Sequence, residues 1–170
     1  NTGDVLLDDL KTVIPEYRIR EIEKLVSILG NGVVDEFPWQ GNMQPSTNDN
    51  IEGVLRRTWM PALSVVGADG LPSSDNAGNV LRPYSQLQLS MRIPPLVNPQ
   101  KALTIMEKTL TKDPPYGALV TLHFEEPAAG WNAPETASWL AEAMNSASKT
   151  CFKAPACSIG EGGTIPFMAM

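Results

Sequence analysis

Residues 86–93, "QLQLSMRI", decide the fold of this chain because they have the pattern of a β-strand with two unlike faces. Successive side chains of a strand point to opposite faces, so residues two apart share a face. The apolar face contains Leu87, Leu89, Met91 and Ile93, and the polar face contains Gln86, Gln88, Ser90 and Arg92. The alternation predicts a strand that packs one face on a core and exposes Arg92 on the other.

Two further stretches show the same alternation. In residues 118–126, "ALVTLHFEE", the side chains of Val120, Leu122 and Phe124 are predicted to point inward. A shorter alternation at residues 63–65 precedes a turn.

Apolar residues at helical spacing predict helices around these strands. The predicted helices cover residues 4–13, 16–29, 51–57, 98–110 and 132–149. Gly30 is predicted to end the second helix, and Asn98 followed by Pro99 is predicted to cap the fourth.

Together these elements predict an α+β two-layer sandwich, with a small, mostly antiparallel sheet and helices on one face, as in ferredoxin-like domains. We expect a single domain over residues 1–170. Within it, residues 1–57 form a helical lead-in and loop, residues 58–152 form the sandwich, and residues 153–170 form a glycine-rich return segment. The chain begins without Met, which favours a piece of a longer protein.

The composition argues against two classes of partner. With 13 Lys+Arg against 19 Asp+Glu the formal net charge is −6, which would repel a nucleic-acid backbone. No apolar run reaches the roughly 20 residues of a membrane span, and the N-terminus lacks a signal-peptide pattern. We therefore expect a soluble, cytoplasmic protein with no nucleic-acid or membrane partner.

Residues for catalysis are few. His123 is the single histidine, so the common zinc patterns cannot be built from this chain alone, and a solvated histidine is its simplest interpretation. The two cysteines, Cys151 and Cys157, have neither redox nor zinc spacing. The run "GEGGTIPFM" at 160–168 lacks the spacing and the lysine of a phosphate loop.

Two polar residues remain open between a surface role and a functional one. Arg92 is either a solvated arginine or a guanidinium that holds a substrate carboxylate. Asn79 is either a turn asparagine or part of a site.

Two stretches carry a resemblance to a known family. "AGNVLRPYSQLQLSMRIPP" at 77–95 resembles the lid-domain signature of the di-zinc metallopeptidases that include carnosinase, glutamate carboxypeptidase, aminoacylase and succinyl-diaminopimelate desuccinylase. Asn79 and Arg92 stand 13 positions apart, as in that family. "KTCFKAPACSIGEGGTIPFM" at 149–168 is similar to the stretch that leads back from the lid in the carnosinase branch. With "TWMPALSVVG" and "GW", the resemblance covers most of residues 58–168.

The resemblance implies a substrate-capping lid that also forms a homodimer, in a peptidase or amidohydrolase that cleaves an amide bond of a small peptide or N-acyl amino acid. It also implies two zinc ions, with their ligands and the catalytic base, in a catalytic domain absent from this chain. The fragment alone would be inactive.

Carried over by position, the resemblance also implies roles for individual residues. Asn79 would contact the oxyanion and Arg92 the substrate carboxylate. Further substrate contacts are implied at Thr150, Gly162, Gly163 and Thr164. Gly160 stands where the carnosinase branch has a substrate-binding arginine, which argues against carnosine-like specificity.

The alternative is a non-catalytic, ferredoxin-like module that binds a small acid or a protein partner. In the reading frame around this chain, a His-x-Asp motif upstream and a late His downstream would decide for the peptidase, and a different neighbouring domain would decide for the module. An independent enzyme that uses Glu161 and His123 is the least supported reading.

Overall fold

The computed structural model describes residues 3–162, which form an α+β domain with a two-stranded antiparallel sheet. The helices are α1 (Glu16–Leu29), α2 (Gly32–Asp35), α3 (Asn50–Thr58), α4 (Pro99–Thr111) and α5 (Ser138–Phe152), and the strands are β1 (Ala62–Asp69) and β2 (Gln86–Arg92). Short 3-10 turns occupy Asp8–Leu10, Ser74–Asn76 and Pro115–Gly117. The predicted fold class is confirmed.

Side-chain caps fix where the central helices begin. The Asp49 carboxylate accepts hydrogen bonds from the backbone N–H groups of Ile51 at 2.9 Å and Glu52 at 3.3 Å, at the start of α3. The hydroxyl of Thr47 and the guanidinium of Arg56 hold the pKa of Glu52 below its usual range. At the start of α3, the N–H groups of Ile51 and Glu52 and the carboxylate of Glu52 therefore all have hydrogen-bond partners.

The cap predicted for α4 is confirmed. The Asn98 side chain accepts from the N–H of Lys101 at 3.0 Å, and Pro99 is the first helical residue. At the end of α1, Gly30 adopts a positive φ of 54°, as its predicted role in ending the helix requires.

The strand predicted from "QLQLSMRI" is β2, and its partner is β1. Leu63 pairs with Met91 and Val65 with Leu89, before the register shifts between Val65 and Gly67. Next to the Leu63–Met91 pair, Arg92 is opposite Ala62 in the last pair of the ladder, so the arginine stands where β2 ends.

Two predicted elements are corrected by the structure. Residues 118–126 have no regular secondary structure, and Val120 and Phe124, two of the side chains predicted to point inward, are exposed. Alternation describes the two faces of a strand, but a strand forms only where a neighbouring strand supplies hydrogen bonds. In the described part of the chain the sheet pairs β1 with β2 alone, and this segment does not join it. The helix predicted at 4–13 is reduced to the single turn Asp8–Leu10, because Thr12, Val13 and Ile14 are β-branched and Pro15 disfavours a helical residue before it.

The core consists of two apolar clusters rather than one layer beneath the sheet. The first joins α1, α2 and α3 and contains Ile22, Leu25, Val33, Val54 and Trp59. The second joins the first 3-10 turn to α4 and contains Leu10, Val97, Ala102 and Met106, with Met91 and Ile93 packed against it. The predicted core face of β2 is thus covered only near Arg92, while Leu87 stays exposed. No described residue of α5 is buried.

None of the helices in the described range of residues 3–162 is long and apolar enough to cross a membrane.

We expect Leu25→Ala to lower the free energy of unfolding by about 2–5 kcal/mol, because it leaves a cavity where the side chain is 1% exposed. Urea unfolding followed by circular dichroism measures the loss. Leu29→Ala is the matched control, since this leucine of the same helix is 46% exposed and its loss should cost much less. Equal losses in both variants would contradict the first cluster as the stabilising core.

Candidate functional site

A cavity of about 650 Å³ lies where β2 ends. Its wall is built from α1, the last turn of α3, the end of β2 and two segments without regular structure, residues 128–136 and 158–162. The cavity lies within the 300–1,000 Å³ range of ordinary small-molecule sites. The end of the alternating strand thus opens onto a space large enough for a ligand.

Arg92 is the functional candidate that the fold places in this wall. Its Nη1 donates a hydrogen bond to the backbone carbonyl of Gly162. Within the described residues it forms no ion pair with a carboxylate. A guanidinium held by a neutral oxygen keeps its charge and its other N–H groups for a ligand.

Gly162 meets Arg92 because it has no side chain. A Cβ at this position would lie 2.5 Å from the carbonyl oxygen of Arg57 and 3.4 Å from Nη1 of Arg92. The first distance is shorter than any real contact, so glycine is the residue that lets the return segment pass between the two arginines.

The other two arginines of the cavity have acidic partners. Arg18 pairs with Glu21 at 2.5 Å, and Arg57 pairs with Glu36. Arg92 is therefore the arginine of this wall that forms no ion pair among the described residues. The buried Nη2 of Arg57 also has no hydrogen-bond partner among those residues, and Glu161 adds a carboxylate to the wall.

An apolar wall accompanies Arg92. Trp131, Met60 and Ile159 all line the cavity and all stay exposed within it. The same wall carries three arginines and the carboxylates of Glu21 and Glu161, so it offers apolar contacts together with a cation, Arg92, for a small organic acid.

Two further described residues implied by the resemblance, Asn79 and Thr150, do not line the cavity. Asn79 lies exposed in the connection between β1 and β2. Thr150 lies on α5, exposed, and its hydroxyl donates to the carbonyl of Ser146 at 2.9 Å. Gly163 and Thr164 lie outside the described residues. The substrate roles of all these residues stay predictions.

Two other positions are placed as follows. Gly160, the departure from the carnosinase branch, lines the cavity. His123 is exposed in the segment that forms no strand.

Sequence reasoning gave Trp131 no role, although "GW" belongs to the resemblance. Trp131 lies in a segment without the periodicity of a helix or a strand. In such a segment the spacing of apolar residues does not predict which side chains share a face or which residues they contact.

The described residues do not fit a zinc site. They contain no cluster of three or more His, Cys, Asp or Glu side chains that could hold a metal ion. The whole chain has one histidine.

No protein-family model matches the sequence, and no curated protein matches it. The fold, however, is similar to that of two solved structures. In human carnosine dipeptidase 1 the similarity covers 99% of this chain and 36% of that chain, with a TM-score of 0.66 and 18% identity.

In the di-peptidase Dug1p from Saccharomyces cerevisiae, it covers 99% of this chain and 36% of that chain, with a TM-score of 0.67 and 17% identity. The chain spans about a third of the length of these structures. The predicted resemblance is thus confirmed at the level of the fold: the chain has the fold of one part of each of these two dipeptidases.

Proposed function

We propose that this chain is the substrate-capping and homodimerisation domain of a zinc-dependent peptidase or amidohydrolase. The parent enzyme would cleave an amide bond in a small peptide or an N-acyl amino acid. The similarity to two dipeptidases over 99% of the chain supports the enzyme class. The observation that carries the capping role is Arg92, a cation without an acidic partner in the described residues, on the wall of a ligand-sized cavity.

Arg92 would bind the free carboxylate of the substrate. A guanidinium can hold both oxygens of a carboxylate through parallel N–H groups, which fixes the orientation of the substrate as well as its position. The bond to Gly162 holds the guanidinium at the cavity before a ligand arrives. Less ordering is then needed when the ligand binds.

The zinc ions, their ligands and the catalytic base belong, in this proposal, to a part of the protein outside these 170 residues. The isolated chain would then have no turnover. A cytoplasmic location stays a prediction.

The decisive experiment is an assay of the full-length protein that contains this chain, supplied with zinc. We expect hydrolysis of simple dipeptides or N-acetyl amino acids, lost on chelation and absent from residues 1–170 alone. If neither substrate class is hydrolysed, the peptidase proposal is contradicted and the non-catalytic module is favoured.

Homodimerisation is supported by the uncovered sheet. Leu63, Val65 and Leu89 present an exposed apolar face across paired strands, and such faces often mark protein interfaces.

We therefore expect residues 1–170 to sediment as a dimer at micromolar concentration and to bind no stoichiometric zinc. Val65→Glu should shift the dimer to monomer, because a carboxylate would be buried at the interface. Thr104→Glu, on an exposed position of α4, is the control. A monomeric wild type would contradict the dimerisation role.

A further inference from the structure

We propose that Trp131 forms a subsite for an aromatic or large apolar group of the ligand, so that the cavity selects carboxylates that carry such a group. This inference deepens the proposed function by naming the class of substrate. It begins from the position of one tryptophan in a part of the chain that has no regular structure.

Trp131 is 48% exposed, and it is one of the residues that line the cavity. Trp139 makes the contrast clear, because it is 69% exposed on α5 and does not line the cavity. A large aromatic side chain in a concave wall offers a flat apolar surface on which a ligand group can be buried.

The chain holds this tryptophan from both sides. On one side a Cβ on Gly130 would lie 2.7 Å from Cα of Pro95, so only glycine allows this close approach. On the other side, the hydroxyl of Tyr17 donates to Oδ1 of Asn132 at 3.3 Å.

A third contact strengthens the anchor to α1. Nη2 of Arg18 donates to the backbone carbonyl of Ala133. The irregular segment is therefore fixed on both sides of the residue that faces the cavity, as a preorganised binding wall requires.

The same contacts set Trp131 relative to Arg92. β2 ends at Arg92, and Pro95 follows after Ile93 and the fully buried Pro94, so the short segment that leaves β2 contacts the glycine beside the tryptophan. A ligand with a carboxylate for Arg92 and a ring for Trp131 would use both features of one wall.

The test is calorimetric titration of the full-length protein with 4-phenylbutyrate and butyrate. Both acids offer a carboxylate, only one offers a ring, and neither contains an amide bond, so binding is read without hydrolysis. We expect the wild type to prefer 4-phenylbutyrate by about tenfold, the amount that burying one ring against an aromatic face typically supplies.

Trp131→Ala should remove most of that preference and leave butyrate binding within about twofold, whereas Trp131→Phe should keep it. Trp139→Ala is the matched control and should change neither affinity. An unchanged preference in Trp131→Ala, or no preference in the wild type, would overturn the inference even if the protein hydrolyses dipeptides. A preference that depends on Trp131 in a protein without hydrolytic activity would support the subsite and contradict the peptidase.

Discussion

Replacing Asn79 with alanine is expected to lower kcat of the parent enzyme by about 100- to 1,000-fold with little change in KM. This is the usual loss when one donor to a developing oxyanion is removed. The effect should fall on kcat because the donor acts mainly in the transition state, where negative charge collects on the oxygen. Steady-state kinetics on a dipeptide substrate measures both constants.

The surroundings of Asn79 separate an effect on catalysis from an effect on folding. Asn79 is exposed between β1 and β2, and its side chain makes no hydrogen bond with the described residues. Its removal should therefore leave the fold unchanged, and a fall in kcat would report on the chemistry.

Asn76→Ala is the matched control for Asn79→Ala. It removes another exposed asparagine of the same connection, whose amide bonds the Ser73 hydroxyl at 3.0 Å. A kcat close to wild type in Asn79→Ala, or an equal fall in Asn76→Ala, would dispose of the oxyanion role.

Arg92→Ala should raise KM by about 10- to 100-fold for substrates with a free carboxylate and much less for the corresponding neutral amides. Hydrogen bonds to charged groups contribute about 1.5–3 kcal/mol, and each 1.4 kcal/mol is tenfold in affinity. Because the guanidinium lies in the cavity wall and has no acidic partner among the described residues, a ligand carboxylate would be its main charged contact.

Two variants control for this change. Arg82→Ala removes an exposed arginine of the β1–β2 connection that does not line the cavity, and it should leave KM unchanged. Arg92→Lys keeps the charge but loses the fork geometry, so it should recover only part of the affinity. Equal increases of KM for acids and amides in Arg92→Ala would remove Arg92 from the carboxylate role.

Whether the sequence predicts a secondary-structure element depends on where that element finds its backbone hydrogen bonds. A helix forms its backbone hydrogen bonds within one segment of the chain. Its start can be predicted from the residues at that point, and α4 was predicted from Asn98 and Pro99. A strand needs a neighbour, and alternation alone cannot say whether one is present. Residues 86–92 pair with β1 and form a strand. Residues 118–126 alternate in the same way but have no regular secondary structure.

The site shows the same division. Arg92 could be singled out because alternation placed it on the polar face of a strand, and the structure puts it in the cavity wall. Trp131 could not be singled out, because its position depends on the close approach of Gly130 to Pro95, a contact between segments far apart in sequence.

The bond between Arg92 and Gly162 has a consequence for how this region can vary. Every amino acid has a main-chain carbonyl oxygen, so side chains next to Gly162 can change without loss of the hydrogen bond from Arg92. Position 162 is the exception, since any branch there would push the two segments apart. Other residues of the return segment can thus vary while the hydrogen bond that positions Arg92 is kept.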